Sequence, residues 1–465
     1  MLKKKILIIV PDGIGIRNYL YSSFVDELIK LDFEIAIYHQ VSDAAITEIK
    51  NVQPLIKNLK KIPVFIEKPL PRFFRESIAY ARLLTNKKTL DNESIMMFWA
   101  KSPKNFKLKI LYLSASLFGW ILSKSYQLIL KCESIYSDVI ANCSIIDQIK
   151  EDIEFFNPDV ILNLHQRAPV AAPIISVAYK LKIKTATVIF SWDNVPKARL
   201  VGRYNKYFVW SQLMKNELKL LYPEIEKNQI KVVGTPQFEF YLKKEFHQTK
   251  IDFFEQFGLD ISKKTICFSA NDLSSPYEVD YFSDICEAVF DIEISSRPQI
   301  IFRKNPVDRS NRFAKIIEKY KNFVFEIEPD WRTENSNDEN FVSVFPCYND
   351  LTLLVNTVLH SDLVINLGST MAHDFAVLNK PCLYLNYDTQ LKSSFPVKKV
   401  YSFQHFRSLE NLDAVGWINS KFEIKNRILN ALLNPEQVAV DRLKWIQKII
   451  NHPLDESSKN LASAI

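Results

Sequence analysis

SDLVINLGSTMAHDFAVLNKPCLYLNYD, residues 361–388, carries the reading on which the fold turns. Leu363, Val364, Ile365 and Leu367 make a short apolar run of the kind that becomes a buried parallel strand. Gly368-Ser369-Thr370 then turns the chain, and Ser369 or Thr370 is placed to cap a helix over Met371–Leu378. Asn379-Lys380-Pro381 stops that helix, and Cys382–Leu385 reads as the next strand. Small residues between a parallel strand and a helix present backbone N–H groups and hydroxyls, which is what a phosphate requires. The same residues also make an ordinary βαβ turn with a hydroxyl cap, and this stretch alone does not separate the two.

Outward from that stretch, 465 residues are too many for one ordinary core and suit two domains of about 200 residues each. Hydrophobic residues at 47% and charged residues at 24% describe a globular chain rather than a disordered one. The formal charge of +7 favours anionic partners: nucleotides, acidic glycans or anionic lipid. Six cysteines are scattered without CxxC or zinc spacing, several in apolar runs, so they read as reduced buried thiols of a cytosolic protein. The start, MLKKKILIIVPDG, imitates a signal peptide, but its apolar run breaks at Pro11-Asp12 and reads as a first strand.

Lys5–Val10 is that strand, followed by Gly13-x-Gly15, a helix through about Leu31 and a strand at Phe33–Tyr38. This is how a Rossmann-like half opens, although the third glycine of the dinucleotide fingerprint is missing and NAD binding is not expected. Residues 66–131 carry twelve basic against four acidic residues, together with ten Phe, Tyr and Trp side chains. Ile110–Ser123 within them is uncharged, yet too short and serine-rich for a bilayer span. The segment reads as a helical insertion with a basic-aromatic face, either resting on an anionic membrane surface or packed as a helical layer with a solvated basic side. No recognised nucleic-acid module accompanies the charge.

Val160–Leu164 is a strand ending in His165-Gln166-Arg167, and Lys184–Phe190 is another, ending in Ser191-Trp192-Asp193-Asn194. Residues just past such strands face ligands in α/β sheets. His165 is therefore a candidate general base or hydrogen-bond donor, or simply a histidine tied to backbone. Asp193 is a further candidate base, and Trp192 with Asn194 and Arg167 offers an aromatic platform with polar tips for a sugar acceptor. After Gly234-Thr235-Pro236 the pattern starts over with strands at Thr265–Ser269 and Gln299–Phe302, leading into Ala270-Asn271-Asp272 and Arg303-Lys304-Asn305-Pro306. Pro329–Asn340 reads as a polar loop, and Pro435–Asn451 as a helix.

Ser361-Asp362, Gly368-Ser369-Thr370, Asp374-Phe375-Ala376 and Asn379-Lys380-Pro381, in that order, resemble the donor segment of GT-B-type transferases. The likeness is to the CDP-glycerol glycerophosphotransferase and bacterial surface-polysaccharide branch. It implies two Rossmann-like domains facing across a cleft: residues 1–240 on the acceptor side (insertion about 66–145), 241–425 binding the donor, and 426–465 as helices returning to the first. It also implies a nucleotide-sugar donor held by Gly234, Asn271, Arg303, Lys304, Asn305, Gly368, Ser369, Thr370 and Asp374. A base would come from Asp12, His165 or Asp193, and the acceptor would lie by Gly13, Arg167, Trp192 and Asn194. Asn305 stands where the resembling families commonly have histidine, so Arg303 or Lys304 would supply the positive charge. The sequence contains no Asp-x-Asp, Walker loop, H-E-x-x-H or G-x-S-x-G. The expectation is a metal-independent, cofactor-free inverting glycosyltransferase acting on a glycan or lipid-linked acceptor. A 2-epimerase or glycerophosphotransferase of the same fold is one alternative, and a non-catalytic nucleotide or glycan binder another.

Overall fold

Ile6–Val10 are all buried, so the first strand must be covered on both faces, and a parallel sheet between helical layers provides this. The computed structural model describes residues 3–99, 103, 105–333, 344–390, 393 and 395–465. The chain forms two compact units. In the first, β1 (Lys4–Val10), β2 (Phe33–His39), β3 (Asn58–Lys61), β4 (Val160–Asn163), β5 (Lys184–Val188), β6 (Lys206–Val209) and β7 (Ile230–Val232) pair in the order β3-β2-β1-β4-β5-β6-β7, all parallel. The order reverses between β1 and β4, which lie side by side with Ile9 opposite Asn163. Loops leaving β1 and β4 therefore emerge together, at the switch point where such sheets take ligands.

The helix expected through Leu31 is broken. Gly13–Gly15 runs into a π-helical turn at Ile16–Leu20, and a new helix begins at Phe24 and ends at Lys30. Between them Ser22 Oγ donates to the Tyr19 carbonyl at 2.9 Å and accepts from the Phe24 amide at 3.3 Å, a local alternative to the helical ladder. The insertion is helical as expected, with helices at Pro69–Leu90, Phe106–Leu122 and Tyr126–Ile140. Its charge is not all on the surface. Arg82 is buried, donates to Glu133 at 2.6 Å and Glu224 at 3.0 Å, and packs on the Tyr222 ring at 4.5 Å. Among the aromatics, Phe73 stacks on Phe118, and Trp99 lies edge-on to Tyr80 and Tyr112. Lys101 and Lys104 lie outside the described residues.

The second unit repeats the pattern. β8 (Thr265–Ser269), β9 (Gln299–Arg303), β10 (Val324–Glu326), β13 (Leu363–Asn366), β14 (Cys382–Leu385) and β15 (Gly416–Ile418) pair in the order β10-β9-β8-β13-β14-β15, again parallel. β11 (Trp331–Thr333) and β12 (Val344–Pro346) form an antiparallel pair. Part of the expected polar loop at 329–340 is thus strand, anchored by buried Trp331, and its residues 334–340 lie outside the described set.

The first unit comprises Met1–Thr235, Phe403–His405 and Glu456–Ile465, and the second Pro236–Ser402 and Phe406–Asp455. The division falls at 235/236 rather than 240. The tail divides differently from the expectation that 426–465 returns to the first domain. The Ile424–Leu433 and Arg442–Ile449 helices belong to the second unit, where Trp445 is buried with its ring 4.2 Å from His373. Only the Ser457–Ala464 helix joins the first, against the Phe24–Lys30 helix, and Lys206 Nζ donates to the Ala464 carbonyl at 2.6 Å. None of the six cysteines forms a disulfide, and five are buried.

Candidate active site

Asp12 sits where β1 ends, in extended conformation, and its Oδ1 accepts from the Ile14 and Gly15 amides at 3.0 and 3.1 Å. Capping therefore uses one carboxylate oxygen and orients the other. That second oxygen accepts from His165 Nδ1, two residues beyond β4. The pairing fixes the tautomer of the neutral ring: a carboxylate only accepts, so the proton is on Nδ1 and the lone pair on Nε2. Nε2 is buried and has no hydrogen-bond partner among the described residues. The ring is held further by Phe190, 4.1 Å away between centroids at the end of β5, and the His165 amide donates to Asn163 Oδ1 at 3.2 Å. The two readings of Asp12, helix cap and site carboxylate, are one arrangement, because the cap aims the free oxygen. Gly13 follows Asp12 as the first, buried residue of the capped turn.

Asp193 lies in a different setting. It pairs with Lys197, accepts from Ser191 Oγ at 2.6 Å and receives Asn194 Nδ2 at 2.9 Å. Burial acts to raise its pKa, but Lys197, His405 and these hydrogen bonds outweigh it and hold the carboxyl well below the usual range. These contacts make it a charged anchor of the loop after β5. Asn194 in turn accepts from Arg167 at 2.9 Å. Trp192 differs from the expected open platform: it is buried, its ring edge-on to His405 at 4.6 Å. Two residues that sequence reasoning missed join this cluster. Burial lowers His405 to about 4, and burial raises Glu217 to about 7. Glu217 sits on an ordinary amphipathic helix and His405 is remote in sequence, so neither carried a local signal.

In the second unit, Gly368 has φ +66°, a conformation costly for any residue with a side chain. A Cβ there would also meet Phe406 at 2.9 Å and Val400 at 3.0 Å. The Ser369 amide donates to Asn366 Oδ1 at 2.8 Å, and its hydroxyl accepts from the Met371 amide at 3.4 Å. Ser369 is half-buried and Thr370 exposed, so the turn keeps polar groups at the surface of the β13 end. Asn271 ties the neighbouring β8 loop to it, donating to the Leu367 carbonyl at 3.0 Å. Asp374 accepts from Tyr241 at 2.7 Å.

The basic residues expected to face the donor are each ion-paired, although the buried Nη1 of Arg303 has no partner among the described residues. Arg303 is buried and donates to Asp350 at 2.8 Å, and Lys304 pairs with Glu328 at 2.7 Å. Asn305 closes its own turn, accepting from the Val307 amide at 3.1 Å. Gly234 lies at the end of the first unit with φ +83°. Sequence reasoning also missed Arg312, which donates to the Ser275 carbonyl at 2.7 Å and the Asn271 carbonyl at 3.0 Å and so fixes the loop after β8. Beside it, burial raises Glu278 to about 8. Lys380 of the Asn-Lys-Pro motif is structural: it donates to the Val358, Leu359 and Ser361 carbonyls at 2.9, 2.6 and 2.5 Å, closing the Asn349–His360 helix. Among the described residues no group of three His, Cys, Asp or Glu side chains is arranged to hold a metal ion.

Solved structures align over the whole chain. A UDP-GlcNAc 2-epimerase from Methanocaldococcus jannaschii superposes with TM-score 0.54 at 15% identity, covering 100% of this chain and 99% of that one. A putative UDP-N-acetylglucosamine 2-epimerase from Listeria monocytogenes gives 0.56 at 13%, covering 100% and 96%. A glycosyltransferase from Rickettsia africae gives 0.51 at 12%, covering 100% and 98%. No family model and no curated protein matches the sequence. Two parallel Rossmann-like sheets and these full-length superpositions define a protein of GT-B fold.

Proposed function

We propose that the protein is an enzyme of nucleotide-activated sugars, an inverting glycosyltransferase of bacterial surface-polysaccharide synthesis, with His165 as its base and Asp12 orienting it. The observation that carries this reading is the Asp12–His165 pair at the β1/β4 switch point, with Nε2 buried and unpartnered among the described residues. A buried ring nitrogen without a partner is costly, and an acceptor hydroxyl would satisfy it. In the proposed step Nε2 takes the hydroxyl proton as the oxygen bonds to the anomeric carbon. The bond from that carbon to the nucleoside diphosphate breaks, and the diphosphate leaves with the electron pair. On the second unit, the Ser369 and Thr370 hydroxyls would hold the diphosphate. Arg303 and Lys304 are already ion-paired, so they are not assigned that charge.

Calorimetry with UDP, CDP, GDP, CMP and dTDP tests the donor half. One of them should bind the native protein, and Ser369→Ala with Thr370→Ala should weaken it at least tenfold. Unchanged affinity in that variant would remove the donor assignment. A second reading, 2-epimerisation of a UDP-sugar, is favoured by the two epimerase superpositions. Incubation with UDP-GlcNAc and no acceptor separates the two, because an epimerase yields an isomer and a transferase does not.

Membrane contact belongs to the same proposal. Phe106, Ile110, Leu113, Leu117, Trp120 and Ile121 are exposed along one helix, with exposed Lys107, Lys109 and Lys124 beside them. This suits the surface of an anionic bilayer. No helix among the described residues is long and apolar enough to cross a membrane.

A further inference from the structure

A cavity of about 610 Å³ lies wholly inside the first unit, between the Pro69–Leu90, Tyr126–Ile140 and Ala171–Lys180 helices and the 198–203 segment. We propose that it binds an anionic amphiphile, the head at Arg167 and Arg199 and the apolar body between Ile78, Ile140, Ile175 and Val201. Its volume falls within the range of small-molecule sites, roughly 300–1,000 Å³. Ile78 and Ile140 are buried, whereas Ser137, Asp138, Tyr179 and Lys180 are exposed at the rim, so the cavity has an apolar floor and an open mouth.

Charge pairing selects the ligand's sign. Arg82 and Arg203 share Glu133 and Glu224, while Glu76 pairs with both Arg75 and Arg199 and Glu67 with Arg75. Arg167 has no carboxylate partner among the described residues. One of its nitrogens donates to the neutral Asn194 amide oxygen, and its buried Nε has no partner there. Burial and then repulsion from Arg199 depress Arg167, outweighing the attraction of the Asp193 carboxylate. A guanidinium held beside another in a half-buried wall is relieved by an anion. Tyr136, buried in the same wall, has a hydroxyl without a partner among the described residues, so it too can donate to a ligand oxygen. Phosphate and carboxylate heads share this chemistry.

The inference deepens the transferase reading, on which its acceptor role rests, so binding is measured apart from turnover. The full chain is titrated calorimetrically with dodecyl phosphate and with dodecanoate, each below its micelle concentration, and separately with UDP. Saturable binding of one amphiphile per chain is expected, the tighter of the two identifying the head. Arg167→Gln should weaken it at least tenfold, and Ser176→Phe, filling the half-exposed rim, should weaken it comparably. Circular dichroism checks both folds, and should one variant unfold, the other carries the test. No saturable binding, wild-type affinity in the folded variants, or equal binding of inorganic phosphate alone would overturn the proposal. Amphiphile binding with none of UDP, CDP, GDP, CMP and dTDP bound would uphold the cavity and remove the nucleotide-sugar reading. UDP binding without amphiphile binding would do the reverse.

Discussion

A histidine whose Nδ1–H is held by a buried carboxylate has one nitrogen left for chemistry, and in His165 that nitrogen is unpartnered among the described residues. Asp12→Asn keeps an oxygen for the Ile14 and Gly15 amides but can turn an amide N–H toward Nδ1. The proton then moves to Nε2 and the base is lost. We expect turnover, measured as nucleotide release, to fall by about 10²–10⁴ for Asp12→Asn and His165→Ala, with nucleotide affinity unchanged. Glu278 gives a second residue-scale prediction. Its folded pKa of about 8 lies above the ordinary carboxyl value, so the folded chain holds a proton that the unfolded chain releases. Its contribution to stability is full below about pH 4.5 and is lost as pH rises through 8. Glu278→Gln keeps an acceptor for the Asn271 amide, so urea unfolding of this variant should lose less stability between pH 5 and 8, by a few kcal/mol. A slope matching the parent would refute it.

At the scale of elements, the β13 turn depends on one glycine. Gly368→Ala must adopt φ +66° and press its methyl on Phe406 and Val400, which should cost about 1–3 kcal/mol in denaturant unfolding and displace the Ser369 amide. In the helical insertion, Arg82 is the central cation of a buried pairing. Arg82→Met leaves Glu133 and Glu224 with Arg203 alone, and a loss of about 3–5 kcal/mol is expected, read as a lowered midpoint of unfolding. The apolar stripe of the Phe106–Leu122 helix makes a different kind of prediction. Leu113→Ser with Leu117→Ser should abolish co-sedimentation with anionic vesicles and leave the melting temperature within about 2 °C, because both side chains are already exposed. Native binding should weaken with added salt through Lys107, Lys109 and Lys124.

For the molecule as a whole, the first unit is assembled from three separate pieces of chain. Leu461 and Ala462 are buried there, so deleting 456–465 should destabilise that unit while nucleotide binding by the second persists, as differential scanning calorimetry and titration would show. The two Rossmann-like halves were legible because fully buried strands leave unbroken apolar runs, such as Ile6–Val10 and Leu363–Ile365, between loops of small and polar residues, whereas the order of the strands was not. The candidate site was legible in part. Asp12, His165, Gly368 and Ser369 follow strand ends, where backbone direction alone puts a residue near a ligand. What local pattern could not supply was partnership. That Asp12 takes His165, that Asp350 pairs with Arg303 and that Trp192 is buried on His405 all join residues distant in the chain. Sequence periodicity records which way a side chain points relative to its own element, and so it determined two parallel-sheet lobes and their loops. The state of each charge depends on what stands opposite it across the packed interior, and only the tertiary structure decided that.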